Sequence, residues 1–214
     1  MSQSRNIKLT VVGLLVFIAL VVAGFVHRIS LPRVMTESEM KINGLYLLDT
    51  PRSIGEFELV DHQGATFNRS RLEGKWSLVF FGFTYCPDVC PTTMTFLNEF
   101  MASLEGTEAQ DIQVVMVTVD PARDTVQQLA GYVPFFNPDF IGVTGEFLDI
   151  HRVATALNTP FRKVMGEGDN YQVDHSANIV LINPRGDYHG FFKAPLDLAK
   201  MKTTYRSVRV LWEQ

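Results

Sequence analysis

The chain has 214 residues, 46% of them hydrophobic, a length and apolar share that suit one folded domain with an appendage. Of its 19 basic and 23 acidic side chains, four basic and no acidic ones fall in residues 1–33, so the remainder is acidic, with a net charge of about −8. A nucleic-acid-binding surface needs clustered positive charge, and no basic stripe is present, which excludes that class.

Residues 9–26 form an apolar run without a charge. At about 1.5 Å per residue the run can cross a hydrocarbon core roughly 30 Å thick, and it exceeds the core of about 7 to 15 residues usual in a cleavable signal peptide. Arg5 and Lys8 precede it and Arg28 and Arg33 follow it, a near balance that the free N-terminus tips towards an inward-facing N-terminal end. The expected organisation is a short cytoplasmic N-terminus over 1–8, a retained transmembrane anchor over 9–26, a polar linker over 27–43 and a folded domain over 44–214. Only eight residues precede the run, too few for an Arg-rich and Ser-rich mitochondrial presequence. The expected setting is therefore a bacterial inner membrane, with the domain in the periplasm.

Glu56-Phe57-Glu58-Leu59-Val60 alternates and leads into Asp61-His62-Gln63-Gly64, a turn signal, before Thr66-Phe67, which predicts a small hairpin. Trp76-Ser77-Leu78-Val79-Phe80-Phe81-Gly82-Phe83 predicts a buried central strand. Soon after it comes Tyr85-Cys86-Pro87-Asp88-Val89-Cys90-Pro91, which holds the only two cysteines of the chain. Pro91 suits the first turn of a helix and disfavours a helical Cys90, so both cysteines are expected on a bent loop ahead of a helix over 92–104.

A strand over 112–119, a helix over 125–132, a short strand over 140–143 and a helix over 147–157 follow. Met165-Gly166-Glu167-Gly168-Asp169-Asn170 reads as part of a flexible connecting loop. Beyond it come a strand over 177–182, a turn at Asn183-Pro184-Arg185-Gly186, a strand over 188–192 and a closing helix over 196–212. This order predicts an α/β class, a thioredoxin-like fold with an N-terminal hairpin and an inserted helix, preceded by one transmembrane helix. Ligands of such sheets bind beyond the carboxyl ends of the strands, which is where the cysteine turn falls.

Two thiols four positions apart near a helix N-terminus can close a reversible disulfide or hold a soft metal ion, and the chemistry of the pair does not choose between these. A pair of inert cysteines or one permanent disulfide is the plainer reading, weakened because a staple on so tight a turn closes almost no loop. His175, in Val173-Asp174-His175-Ser176-Ala177, discriminates. It stands at the entry to a strand that packs against the cysteine loop in thioredoxin-type folds, where a proline usually sits. An imidazole with two thiolates makes a three-coordinate soft site suited to Cu(I), and able to accept Cu(II) with an added ligand. Cys86, Cys90 and His175 are the candidate metal ligands.

Three separated stretches carry a resemblance: residues 82–93 with their Cys-Pro-Asp-Val-Cys-Pro core, Val119-Asp120-Pro121-Ala122-Arg123-Asp124-Thr125, and Asp174-His175-Ser176. Occurring in this order within a region that covers residues 45–212, they resemble the Sco/SenC family of copper chaperones that assist cytochrome c oxidase assembly. The resemblance implies a single membrane anchor, a thioredoxin-type domain and copper on Cys86, Cys90 and His175. It also implies an upstream copper donor and delivery to the binuclear CuA centre of oxidase subunit II. A second class stays open, a thiol:disulfide oxidoreductase in which Cys86 and Cys90 reduce the cysteines of the copper acceptor. It needs no His175, and its usual motif has one residue fewer between the cysteines. A peroxidase with one peroxidatic and one resolving cysteine is a third reading.

Asp120 and Asp124 read as turn or helix-capping residues around the breaker Pro121, with Arg123 pairing one of them. Asp88 and Asp174 read as exposed turn carboxylates or as groups that tune a thiolate or orient His175. Phe83 and Tyr85 are expected to wall the site, Met94 to pack in the core, and Met165 to stand as an outside candidate for a transient copper contact. His27, His62, His151 and His189 have no thiol or histidine at ligand spacing and read as structural.

Overall fold

The computed structural model describes residues 2–30, 34–167 and 170–213. Two units are present, Met1–Val34 and Met35–Gln214. The first contains α1 (Ser2–Ser30), whose stretch Ile7–Val26 has a mean hydropathy of 2.9 and no buried residue, so it is long and apolar enough to cross a membrane.

The second unit opens with α2 (Glu37–Ile42), inside the stretch expected as a linker. Thr36 and Glu39 form a capping box: the Thr36 hydroxyl accepts from the Glu39 amide at 3.3 Å, and the Glu39 carboxylate accepts from the Thr36 amide at 2.8 Å. Burial of Met40 fastens this short helix to the domain. β1 (Leu45–Ser53) follows, then β2 (Glu58–Asp61) and β3 (Thr66–Asn68), which form the expected hairpin with Leu59 opposite Phe67.

β4 (Trp76–Gly82) is buried at every residue, as a near-continuous apolar run predicts for a strand covered on both faces. α3 (Val89–Ser103) and the short α4 (Thr107–Gln110) lead to β5 (Ile112–Thr118), which runs parallel to β4 from the Trp76–Ile112 pair to the Gly82–Thr118 pair. α5 (Val126–Phe136) makes a second crossover to β6 (Ile141–Thr144), parallel to β5, and α6 (Phe147–Ala156) follows. β7 (Arg162–Glu167) and β8 (Asn170–Asp174) form a hairpin, β9 (Ile179–Ile182) and β10 (Asp187–Phe192) fold back antiparallel, and α7 (Leu198–Trp212) closes the domain. Eight strands make one sheet in the order β1-β10-β9-β4-β5-β6-β2-β3, and β7 with β8 makes a separate two-stranded sheet. The parallel pairing of β4 and β5 brings Gly82 and Thr118 to the same sheet end, and both crossovers leave from it.

Two local expectations are corrected. α3 begins at Val89, so Cys90 is helical rather than on the loop, with Pro91 as the third helical residue. The first four amides of a helix have no intrahelical acceptor, so a proline there forfeits no hydrogen bond. The stretch around residues 165–170 is drawn into the β7–β8 hairpin; Gly168 and Asp169, and the side chains of the whole stretch, Met165 among them, lie outside the described residues. The side chain of His27 lies outside them as well.

His189 on β10 meets Trp76 edge-on at 5.2 Å and Trp212 at 5.7 Å. Burial, with the Arg185 charge adding to it, pushes its pKa down to about 4. The unfolded chain, with an ordinary imidazole near 6.5, then binds the proton more readily between these values, so stability is complete above about pH 6.5 and declines towards pH 4. At about 1.4 kcal/mol per unit the loss is on the order of 3 kcal/mol. Urea midpoints at pH 7 and pH 4.5 are expected to separate far less in His189→Phe than in the wild type; equal separations would contradict the buried neutral imidazole.

Candidate metal centre

Gly82 ends β4 under the cysteine turn, and the absence of a side chain there is required. A Cβ at this position would lie 2.6 Å from Phe80 Cε1 and 2.9 Å from Cys90 Sγ, both shorter than real contacts allow. Gly82→Ala is expected to cost about 1–3 kcal/mol, as overpacking does, read as a lower urea midpoint; an unchanged midpoint would mean that the sulfur is free to move aside.

The turn itself is pinned by Asp124. Its carboxylate, itself fully buried, accepts from the half-buried Thr84 through its amide at 3.0 Å and its hydroxyl at 2.6 Å, and from the buried Thr118 hydroxyl at 2.7 Å. Burial pushes the carboxyl pKa up and the three donors pull against it. The Cys86 amide donates to the Phe83 carbonyl at 3.2 Å, and the Cys90 amide, at the start of α3, donates to Cys86 Sγ at 3.4 Å. Cys86 is half-buried and Cys90 fully buried, and both are free thiols. Desolvation raises the Cys90 thiol pKa far above its ordinary value, and the neighbouring Cys86 adds to the rise.

His175 follows β8 and reaches the pair from across the sheet end. Its Nε2 lies 3.5 Å from Cys90 Sγ and its Nδ1 3.1 Å from the Ser176 carbonyl oxygen. A carbonyl only accepts, so Nδ1 carries the hydrogen and Nε2 turns its lone pair to the sulfur, a tautomer assigned from the hydrogen bond. Phe80 and Phe83 each stand edge-on to the ring at 5.8 Å. Burial lowers the imidazole pKa, against smaller raising contributions from Ser176 and Asp174, and so favours the neutral, ligating form.

The donor atoms of Cys86, Cys90 and His175 all lie within 4.8 Å of one another, the one such grouping of His, Cys, Asp or Glu among the described residues. Donor-to-metal bonds of about 2.0–2.3 Å would set three donors roughly 3.5–4 Å apart, so a soft ion fits with a small contraction. A groove of about 290 Å³, lined by Cys86, Pro87, Val89 and His175 among others, opens onto the cluster.

The other candidate residues divide. Phe83 walls the site, whereas Tyr85 is 54% exposed and lies against Arg123, and Met94 is buried in the core as expected. Asp88 precedes α3 without a side-chain cap bond, and Asp174 pairs with Arg162 at 3.2 Å on the surface. His62 accepts from the Gly142 amide at 3.1 Å in the interior, and His151 lies beside Phe147 and Phe161. Asp120 opens a turn, its carbonyl accepting from the Arg123 and Asp124 amides, and pairs with Arg123 as expected; only the capping alternative is corrected, because Thr125 caps α5 and Asp124 holds the cysteine turn. Sequence reasoning missed Gly82, Phe80, Thr84 and Tyr171. Only the small residue closing an apolar strand gave any signal for them.

A thioredoxin-like sheet carrying two free thiols and a neutral imidazole in one cluster defines a thiol-based metal or redox protein. The chain belongs to the SCO1/SenC family, whose model matches residues 47–209. A relative in Stutzerimonas stutzeri whose name refers to copper binding is 40% identical over 152 residues, 71% of this chain and 74% of the relative. Among solved structures, Arabidopsis thaliana ScoI with copper bound is 32% identical with a TM-score of 0.66, covering 73% of this chain and 98% of that one. Yeast Sco1 with copper bound is 30% identical with a TM-score of 0.66, covering 77% and 90%.

Proposed function

We propose that this chain is a membrane-tethered copper metallochaperone that holds copper on Cys86, Cys90 and His175 and hands it to the CuA centre of cytochrome c oxidase subunit II. The observation that carries the reading is the cluster of two sulfurs and one imidazole nitrogen within 4.8 Å, a soft donor set of the kind Cu(I) prefers. Copper on the Arabidopsis and yeast relatives supports the same cargo. Cys90 lies at the buried side and Cys86 at the half-exposed side, so an acceptor thiolate can approach from the groove and displace the donors one by one. Three protein donors leave a coordination face for that exchange.

In this reading residues 1–8 lie in the cytoplasm, 9–26 cross a bacterial inner membrane, 27–43 connect, and 44–214 form the copper-binding domain in the periplasm, supplied by an upstream copper donor. An anaerobic Cu(I) titration of the full chain in detergent against a competing chelator tests it. One-to-one binding is expected, with His175→Ala weaker by more than the roughly 100-fold that loss of an outer partner costs. A second reading draws on both thiols being free and neighbouring, a thiol:disulfide oxidoreductase with half-exposed Cys86 as the attacking thiol. Weak binding, or binding indifferent to His175, would favour it.

A further inference from the structure

The turn over residues 119–124 lies outside the donor cluster, yet it joins the two segments that carry the donors. The Arg123 side chain, 15% exposed, pairs through Nε with the Asp120 carboxylate and donates from Nη2 to the Tyr171 carbonyl at 3.2 Å. Its guanidinium carbon lies 3.7 Å from the Tyr171 ring centroid, 4.8 Å from that of Tyr85 and 5.8 Å from that of Phe83. The Tyr171 hydroxyl donates to Asp120 at 2.6 Å, and Lys163 Nζ lies 3.3 Å from the Tyr171 centroid. Tyr85 adjoins Cys86, and Tyr171 stands on β8 four residues before His175. One planar cation thus touches an aromatic ring on each donor-bearing segment.

Among the described residues the hairpin of β7 and β8 shares no ladder with the eight-stranded sheet, and a lone two-stranded hairpin is marginal in water. Its placement therefore rests on side-chain contacts. At its open end the Arg162–Asp174 pair is 80% and 60% exposed, a setting in which ion pairs contribute little. At its buried face are Tyr171 and Val173, with Asp120 and Arg123 against Tyr171. A guanidinium can pair, donate and stack at once, which an ammonium cannot do.

We propose that Arg123 is a positioning residue for His175: by fixing Tyr171 of the hairpin against the cysteine turn, it holds the imidazole at the distance a third donor needs. The inference rests on the copper reading above. The test is a double-mutant cycle by anaerobic Cu(I) titration of the full chain, comparing the wild type, Arg123→Lys, His175→Ala and the double variant. Lysine keeps a charge for Asp120 and loses the planar contacts. Arg123→Lys is expected to weaken Cu(I) binding by about 10 to 100-fold, the range for partners that orient a ligand. On the His175→Ala background the same change should weaken it by no more than about 2-fold, within the error of additivity.

Equal losses on both backgrounds, or no loss in Arg123→Lys, would overturn the proposal while leaving the copper reading standing. A His175→Ala protein that binds like the wild type would overturn the copper reading, and this inference with it. Arg123→Gln, planar but neutral, serves the same cycle if the lysine variant does not fold. X-ray absorption of Cu(I)-loaded Arg123→Lys gives an independent readout: the copper–nitrogen contribution should be weaker or longer than in the wild type with both sulfurs kept, and a nitrogen contribution unchanged from the wild type would overturn the assignment.

Discussion

Cys90→Ser is expected to remove high-affinity copper binding, with a loss well beyond the roughly 100-fold typical of an outer partner. Serine offers a hard hydroxyl where Cu(I) favours a soft thiolate, and the position is fully buried, so water cannot take the missing place. Cys90 Sγ also lies 3.5 Å from His175 Nε2, so its removal takes from the imidazole its neighbouring sulfur. Cys86→Ser should weaken copper binding comparably while disturbing the fold less, because Cys86 is half-buried and its hydroxyl can be solvated. Chelator competition on both variants, with urea midpoints alongside, reads the two effects separately. Retained tight binding in Cys90→Ser would contradict the assigned donor set.

The second large effect is structural. Asp124→Ala removes the acceptor of the Thr84 amide, the Thr84 hydroxyl and the Thr118 hydroxyl in one step, and Asp124 is fully buried. Orphaning a buried donor costs about 1–3 kcal/mol, the full figure applying to buried Thr118 and part of it to half-buried Thr84, so a total on the order of 3 kcal/mol is expected. That is a large part of the roughly 5–15 kcal/mol that holds a domain folded. Asp124→Asn keeps a carbonyl acceptor in the same shape and should lose less than half as much. Urea unfolding followed by tryptophan fluorescence measures both, and a loss below about 1 kcal/mol in the alanine variant would mean the turn is held elsewhere.

The cysteine pair and the strand before it could be read from sequence because the signals are local: a continuous apolar run, then two thiols and two prolines in a short turn. His175 was legible through its place at the entry of a core strand and through the Asp174-His175-Ser176 stretch of the resemblance, since no cysteine or other histidine stands within ten residues of it. The β7–β8 hairpin escaped because Met165-Gly166-Glu167-Gly168-Asp169-Asn170 has loop composition, and the hairpin is placed by Tyr171 meeting Asp120 and Arg123, contacts about fifty residues apart in the chain. Asp124 looked like a cap because aspartate before a helix often is one; its partners Thr84 and Thr118 come from two other segments and become visible only once β4 and β5 are paired. Thr36 and Glu39 did carry a readable capping signal, overlooked because the surrounding stretch is polar.

The central claim is that two sulfurs and one imidazole nitrogen hold copper together. X-ray absorption at the copper edge of the Cu(I)-loaded full chain tests it most directly. The account predicts a first coordination sphere of two sulfurs and one nitrogen in the wild type, and of two sulfurs without that nitrogen in His175→Ala. A sulfur-only sphere in the wild type, or the same spectrum from both proteins, would contradict it.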